Sequence, residues 1–264
     1  MWHNLRNLLR YRGLIQSLVS RDLKARYRGS VLGFFWSFVN PLMLLLIYNW
    51  VFTHLLINPS EATRPYAVFM FTGLLPWTWF QSSMNEATGS LIAGGNLIKK
   101  VLFPAEVLPF VTILSNMVHF LFGLPILIGF MVWYRLTPDW AELPWFFVVV
   151  GIQLVFTAAL SLFLSALAVY FRDVKDLVSN LLTFWFFATP IIYWYKEPRF
   201  KDFKAYFDAN PFTHFAISYQ EILFFDGPFG HWKWLLVMGV VSVVLFLAAY
   251  WFFDRLRDSF AEAV

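Results

Sequence analysis

Six stretches of this 264-residue chain contain no Asp, Glu, Lys or Arg: 29–60, 65–85, 107–134, 143–171, 177–195 and 234–253, each at least 19 residues long. A helix rises about 1.5 Å per residue and a bilayer core is about 30 Å thick, so about 20 apolar residues span it. One or two such stretches would suit buried helices of a soluble core. Six of them leave too few charges to coat one. Charged residues make up 14% of the chain and hydrophobic residues 59%, against roughly 25% charged in soluble domains. The expected fold is all-α: a polytopic helical membrane protein with six transmembrane helices, organised as a single unit over residues 1–264.

With six spans both termini lie on one side. Segments 1–30, 86–106, 172–176 and 254–264 then share that side and carry thirteen Arg/Lys, against seven on the other. Positive residues favour the cytoplasm, so both termini are expected there. Lys196, Arg199, Lys201 and Lys204 run against this rule. The first 28 residues lack the apolar core and small-residue site of a cleavable signal peptide. The chain has no cysteine, which removes disulfides, thiolate metal sites and cysteine nucleophiles. Its net charge of +4 sits at span ends, where membrane topology accounts for it without nucleic acid.

"RDLKARYRGSVLGFFWSFVNPL" (21–42) joins a charged run to an apolar one. As a helix from Tyr11 to Arg28, residues Tyr11, Leu14, Ile15, Leu18, Val19 and Ala25 fall on one half. Gln16, Ser17, Ser20, Arg21, Lys24 and Arg28 fall on the other. That is an amphipathic helix with a basic face, ended by Gly29. Asp22 and Arg26 sit inside the apolar half, spaced to pair with one another. Two readings stay open: a positive-inside anchor in the headgroup plane, or a helix docked on another cytoplasmic element.

Two further segments interrupt the spans. "ATGSLIAGGNLIKKVLFPAEVLP" (87–109) predicts a short surface helix with Asn96 as N-cap and Pro104 as terminator. The outer segment 196–231 mixes charges with aromatics, as interfacial helices that dip into a bilayer do. Within it, Asp208 or Asn210 caps a helix opened by Pro211. No repeat relates the first three spans to the last three.

Catalytic chemistry is hard to place. Intramembrane enzymes and proton-coupled carriers need ionisable groups at membrane depth. The six windows offer His54 and His119, and a lone intramembrane His is more often a packing residue. Asp22, Glu86, Glu106, Asp173, Asp176 and Asp254 all fall at one set of span ends without metal-binding spacing. "GGNLIKK" lacks the second Gly and the hydroxyl of a phosphate-binding loop. No catalytic residue, cofactor or metal is expected in this chain.

The aromatics are the positive signal. Phe, Trp and Tyr form 21% of the sequence. Interfacial belts account for Trp77, Trp79, Trp140, Trp145 and Trp232. "FWFFATPIIYWYKEP" (184–198) is denser, packing Trp185, Tyr193, Trp194 and Tyr195 around Pro190. Such faces suit either sugar rings or mutual packing. Ala158, Ser161, Ser165 and Ala168 share one face of the fourth span, which permits close helix approach within the subunit.

At these residues the sequence resembles the transmembrane subunit of ABC-2 type exporters of polysaccharides: O-antigen, capsule and teichoic acid. The resemblance rests on Arg21, Asp22, Leu23, Lys24, Arg26 and Tyr27, then Ser30, Leu32, Gly33, Trp36, Asn40 and Pro41. "FTGLLPWTWF", "NLIKKVLFPAEVLP", "YFRDVKDL", "TPIIY" and "NPFTHF" follow in order. It implies a homodimer in the bacterial inner membrane, joined by two copies of a separate ATPase that binds the ATP and Mg. The cargo it implies is a polyprenyl-linked polysaccharide. Residues 1–30 would hold the interface helix, with Asp22, Arg26 and Arg28 toward the ATPase. Segment 87–104 would hold the coupling helix, with Asn96, Lys99, Lys100 and Phe103. Segment 196–231 would form short re-entrant helices between spans five and six. Spans one and five would line a pore in which Tyr48, Trp185, Tyr193 and Tyr195 stack sugars. The alternatives are the same fold with a drug or lipid cargo, and a membrane enzyme acting on polyprenyl-linked sugars.

Overall fold

The computed structural model describes residues 11–51, 61–99 and 103–263. Among these the regular structure is helical and no strand occurs. In chain order the helices are α1 (Arg12–Arg26), α2 (Trp36–Val51), α3 (Tyr66–Ala93), the single turn α4 (Gly95–Ile98), α5 (Val107–Trp133), α6 (Leu143–Tyr170), α7 (Val174–Phe187), α8 (Lys204–Ala209), α9 (Pro211–Leu223), α10 (Trp232–Leu256) and the turn α11 (Phe260–Ala263). By length and composition α5, α6 and α10 extended to Ser259 are able to cross a membrane. Helix α2 is apolar but shorter, and the rest of its charge-free window lies outside the described residues.

Helix α3 is the axis of the molecule. Its N-terminal half is apolar all round, and its C-terminal half carries Gln81, Ser82, Ser83, Asn85 and Glu86. A helix without a polar face must be enclosed on every side. Helices α5, α6, α7 and α9 all pack on it. Trp77 and Trp79 are therefore core residues, 1% and 2% exposed, and not belt residues as their chemistry suggested. Enclosure wins because Trp79 can donate to the Ile113 carbonyl at 3.2 Å while its ring stacks on Phe120. The Ala158, Ser161, Ser165 and Ala168 face of α6 is buried within the chain. There Ser161 meets Met84 of α3, and Gln153 donates to the Pro76 carbonyl at 2.9 Å.

Helices α3 and α5 pack tightly at Gly123, where an added Cβ would lie 2.2 Å from Leu75 Cδ1. Gly123→Val is expected to destabilise the chain by about 1–3 kcal/mol through overpacking. Thermal unfolding in detergent reads this, and a paired Leu75→Ala should recover part of the loss.

Helix α7 is only 14 residues long, about 21 Å, which falls short of a bilayer core. It buries Val174, Val178, Leu182 and Phe186 at i, i+4 spacing and leaves Leu177, Leu181, Phe184 and Phe187 exposed. After it the chain runs irregularly to the short 3₁₀ segment at Pro198–Phe203. Backbone outside a helix is tolerated at membrane depth only where its polar groups find protein partners. Here they do. Tyr193 donates to the Phe187 carbonyl, Asn210 to Ala188, Gln220 to Pro190 and Tyr66 to Ile192, over 2.8–3.1 Å.

Candidate functional site

Two polar constellations interrupt the apolar bundle, one at each end. At the first, α1 stops at Arg26 with Tyr27 as C-cap, short of the expected Arg28, and Gly29 follows at φ +80° in the turn toward α2. The apolar half of α1 packs on the start of α5, with Leu18 against Val107 and Val111 and with Phe103 alongside. Ala25, placed on the same half by the periodicity, is exposed. Docking on protein thus explains the two charges on that face. Arg26 Nε donates to Asp22 at 3.1 Å. Its two Nη atoms take both oxygens of Glu86 from α3, and Nη1 also reaches Asn116 of α5 at 3.3 Å. Asn116 in turn donates to Glu86 at 2.9 Å and to the Thr112 carbonyl at 3.0 Å. A planar guanidinium that engages a carboxylate with two nitrogens fixes direction as well as distance. One side chain therefore ties α1, α3 and α5 together.

Next to it Tyr27 bonds Ser37 of α2 at 2.6 Å and His119 of α5 at 3.2 Å. Ser30 accepts from Trp36 Nε1 at 3.0 Å. These groups wall a cavity of about 540 Å³ that also meets Asn40 and Glu86. The Asp22–Arg26 pair was legible in the sequence. Glu86 and Asn116 were not, because helix periodicity says nothing about which carboxylate lies across the bundle. Arg28 is exposed and takes no part in this network.

The segment expected to be a short helix capped by Asn96 has a different start. Helix α3 runs on to Ala93, and Gly94 closes onto the Ser90 carbonyl at 2.9 Å. It then serves directly as N-cap of α4, so Asn96 lies inside the turn. Gly94 leaves room for the Leu108 side chain, whose Cδ1 would lie 2.4 Å from an added Cβ. Leu97 and Ile98 face the protein, while Asn96 and Lys99 face outward. Lys100, like His54, lies outside the described residues. Between α1 and α4 runs a groove of about 730 Å³ lined by Arg21, Asp22, Asn85, Glu86, Asn96 and Lys175.

At the opposite end Asn210 holds the break after α7. It is 8% exposed, and its Oδ1 accepts from Phe212 N at 3.1 Å and from Trp185 Nε1 at 2.7 Å. Its Nδ2 donates to the Ala188 carbonyl and to Thr189 Oγ1, both at 3.1 Å. Asn210, with Pro211 at the first helical position, is thus the N-cap of α9. The four aromatics singled out in the sequence are all half-buried. Tyr48 packs near Phe186, Trp185 presents its edge to Trp77 and Phe80, and Tyr193 tilts over Phe200. Lys196 lies 5.5 Å from the Tyr195 ring.

His214 of α9 links α8 to the start of α10. Its Nε2 lies 3.0 Å from the Asp208 carbonyl, which can only accept, so Nδ1 is left to accept from His231 Nε2 at 3.0 Å. Trp234 stacks on the His214 ring at 4.5 Å. Burial, then His214 and Lys196, pushes His231 down to about 4, and burial lowers His214 against the pull of Asp208. The unfolded chain, with His at 6.5, binds more protons than the folded one between these values. This contribution to stability is therefore complete above about pH 6.5 and is lost as pH falls toward 4. A melting series over that window should show the loss, and His231→Gln should flatten it.

Among the described residues no group of three or more metal-ligating side chains occurs. Residues 13–224 match the family model described as ABC-2 type transporter. This chain belongs to the ABC-2 type transporter family. An ABC-2 membrane chain is a transport subunit. The chain is 41% identical over 261 residues to the O-antigen export system permease protein RfbA of Myxococcus xanthus, covering 98% of each chain. It is 32% identical over 250 residues to a protein of the same name from Klebsiella pneumoniae, covering 94% of each.

Proposed function

We propose that this chain is the membrane subunit of an ATP-driven exporter that carries a polyprenyl-linked, O-antigen-like polysaccharide across the bacterial inner membrane. Similarity to the Myxococcus permease over 98% of each chain carries this reading. The subunit works as a six-span homodimer with both termini in the cytoplasm and two ATPase copies below it. The ATPase binds ATP and Mg, and it meets Asn96, Lys99, Lys100 and Phe103 on one side and Asp22, Arg26 and Arg28 on the other. The groove between α1 and α4, with polar residues on both walls, supports this placement.

Export runs along α2 and α7. Both expose apolar faces, Met43, Leu46, Ile47 and Trp50 on one and Leu177, Leu181, Phe184 and Phe187 on the other. A second subunit covers part of these faces, and the remainder lines the path. Tyr48, Tyr193, Tyr195 and Trp185 give sugars successive rings to slide over. Trp185 borders a groove of about 510 Å³ with Phe184 and Tyr206, which supports that role. The helices α8 and α9 re-enter the outer leaflet at the exit.

Depleting the chain in cells tests the proposal. Lipid-linked glycan should accumulate on the inner leaflet while its synthesis continues, and surface polysaccharide should fall. Unchanged surface polysaccharide together with accumulation of another exported lipid would assign the chain a different cargo.

A further inference from the structure

The last residues of the chain fold back beneath α4. After α10 a 3₁₀ turn, Arg257–Ser259, leads into α11, which contacts both α4 and α6. Three interactions fix this short return. Phe260 is 0% exposed, in a cluster with Leu91, Ile98 and Phe253, its ring 5.1 Å from that of Phe253. Arg257 Nη1 stands 3.7 Å from Glu106 Oε1. Ser259 Oγ donates to the Leu256 carbonyl at 2.7 Å and so accepts from the Tyr170 hydroxyl at the end of α6.

Glu106 is the N-cap of α5 and only 2% exposed. Among the described residues its second oxygen has no hydrogen-bond partner, and Arg257 is the cation that stands beside this buried carboxylate. Removing that cation alone is far worse than removing both charges. Meanwhile α4 is a single turn of four residues. A helix of that length has no stability of its own and transmits a push only if something firm lies behind it. What lies behind Ile98 is Phe260, and through it the end of α10 and the end of α6.

We propose that the C-terminal return, residues 257–263, is a positioning element of the transport cycle. Phe260 and Arg257 seat the coupling turn on the last span, so that a displacement of Asn96 and Lys99 moves α10 and α6 instead of bending the turn. Neither residue touches cargo or nucleotide. The inference rests on the proposed coupling role of α4.

The test uses the full chain with its ATPase in proteoliposomes. It compares wild type with Phe260→Ala, Phe260→Leu, Arg257→Ala and the double variant Arg257→Ala/Glu106→Gln. Three quantities are read: ATPase retained on purification, ATP turnover, and lipid-linked glycan moved per ATP. We expect ATPase retention and turnover near wild type throughout. Glycan moved per ATP should fall about tenfold in Phe260→Ala and in Arg257→Ala, the size of an ordinary coupling energy. Phe260→Leu should restore most of it and the double variant part of it. If Phe260→Ala does not accumulate, the Arg257 pair carries the same test. Wild-type transport per ATP in both alanine variants would overturn the inference. So would a loss of turnover and transport in equal proportion, which marks a merely structural role. A wild-type chain that retains no ATPase would instead overturn the coupling reading itself, and the inference with it.

Discussion

Asn210→Ala is expected to destabilise the chain by about 4 kcal/mol, because it leaves several buried groups without partners at once and each costs about 1–3 kcal/mol. The side chain accepts from Phe212 N and Trp185 Nε1 and donates to Ala188 O and Thr189 Oγ1. Losing it removes a helix cap and unties the irregular segment that follows α7. Asn210→Asp keeps both acceptor contacts but replaces the amide donor with oxygen facing the Ala188 carbonyl. It should therefore do no better than alanine. Thermal unfolding in detergent, with protease sensitivity between Ala188 and Pro211, measures the effect. An unchanged melting curve for either variant would mean that Asn210 does not hold the break.

The second large effect belongs to Arg26. Its side chain is 25% exposed and that of Glu86 38%, so the pair contributes stability of only about 1–2 kcal/mol. Its larger consequence is mechanical. Arg26→Ala cuts the tie between α1 and the bundle, and export should fall by about tenfold or more. Arg26→Lys preserves charge but not the two-pronged grip, and it should rescue little. Export at constant protein level and constant ATPase occupancy is the quantity to compare. Wild-type export in Arg26→Ala would assign the network a structural role alone.

Much of this fold could be read from the chain, and the failures have physical causes. Charge-free windows located the long helices because desolvating a charge is costly wherever it falls. They could not show that α3 is enclosed on all sides, since Trp77 and Trp79 look alike at an interface and in a core. The amphipathic pattern of α1 found the helix, but the misplaced Asp22 and Arg26 left docking open beside an anchor in the headgroup plane. Their partners Glu86 and Asn116 depend on how α3 and α5 cross, which local periodicity does not encode. Pro211 announced a capped helix but left Asp208 and Asn210 open as the cap, and Asn210 takes the position. Its grip on Trp185 and Ala188 was not legible, because those contacts arise where α7 stops short. Asn96 was placed at a cap by residue type, but α3 continued past the expected end and Gly94 took that position.

The central claim is that this chain passes a lipid-linked glycan through the membrane only when a separate ATPase drives it. The most direct measurement loads proteoliposomes bearing the chain and its ATPase with outward-facing nucleotide sites, adds polyprenyl-linked glycan to the outer leaflet, and follows its arrival in the lumen. Arrival should require ATP, the ATPase and this chain together, and should stop when any one is omitted. Glycan that crosses without ATP, or that the chain alone converts to a new product, would contradict the account.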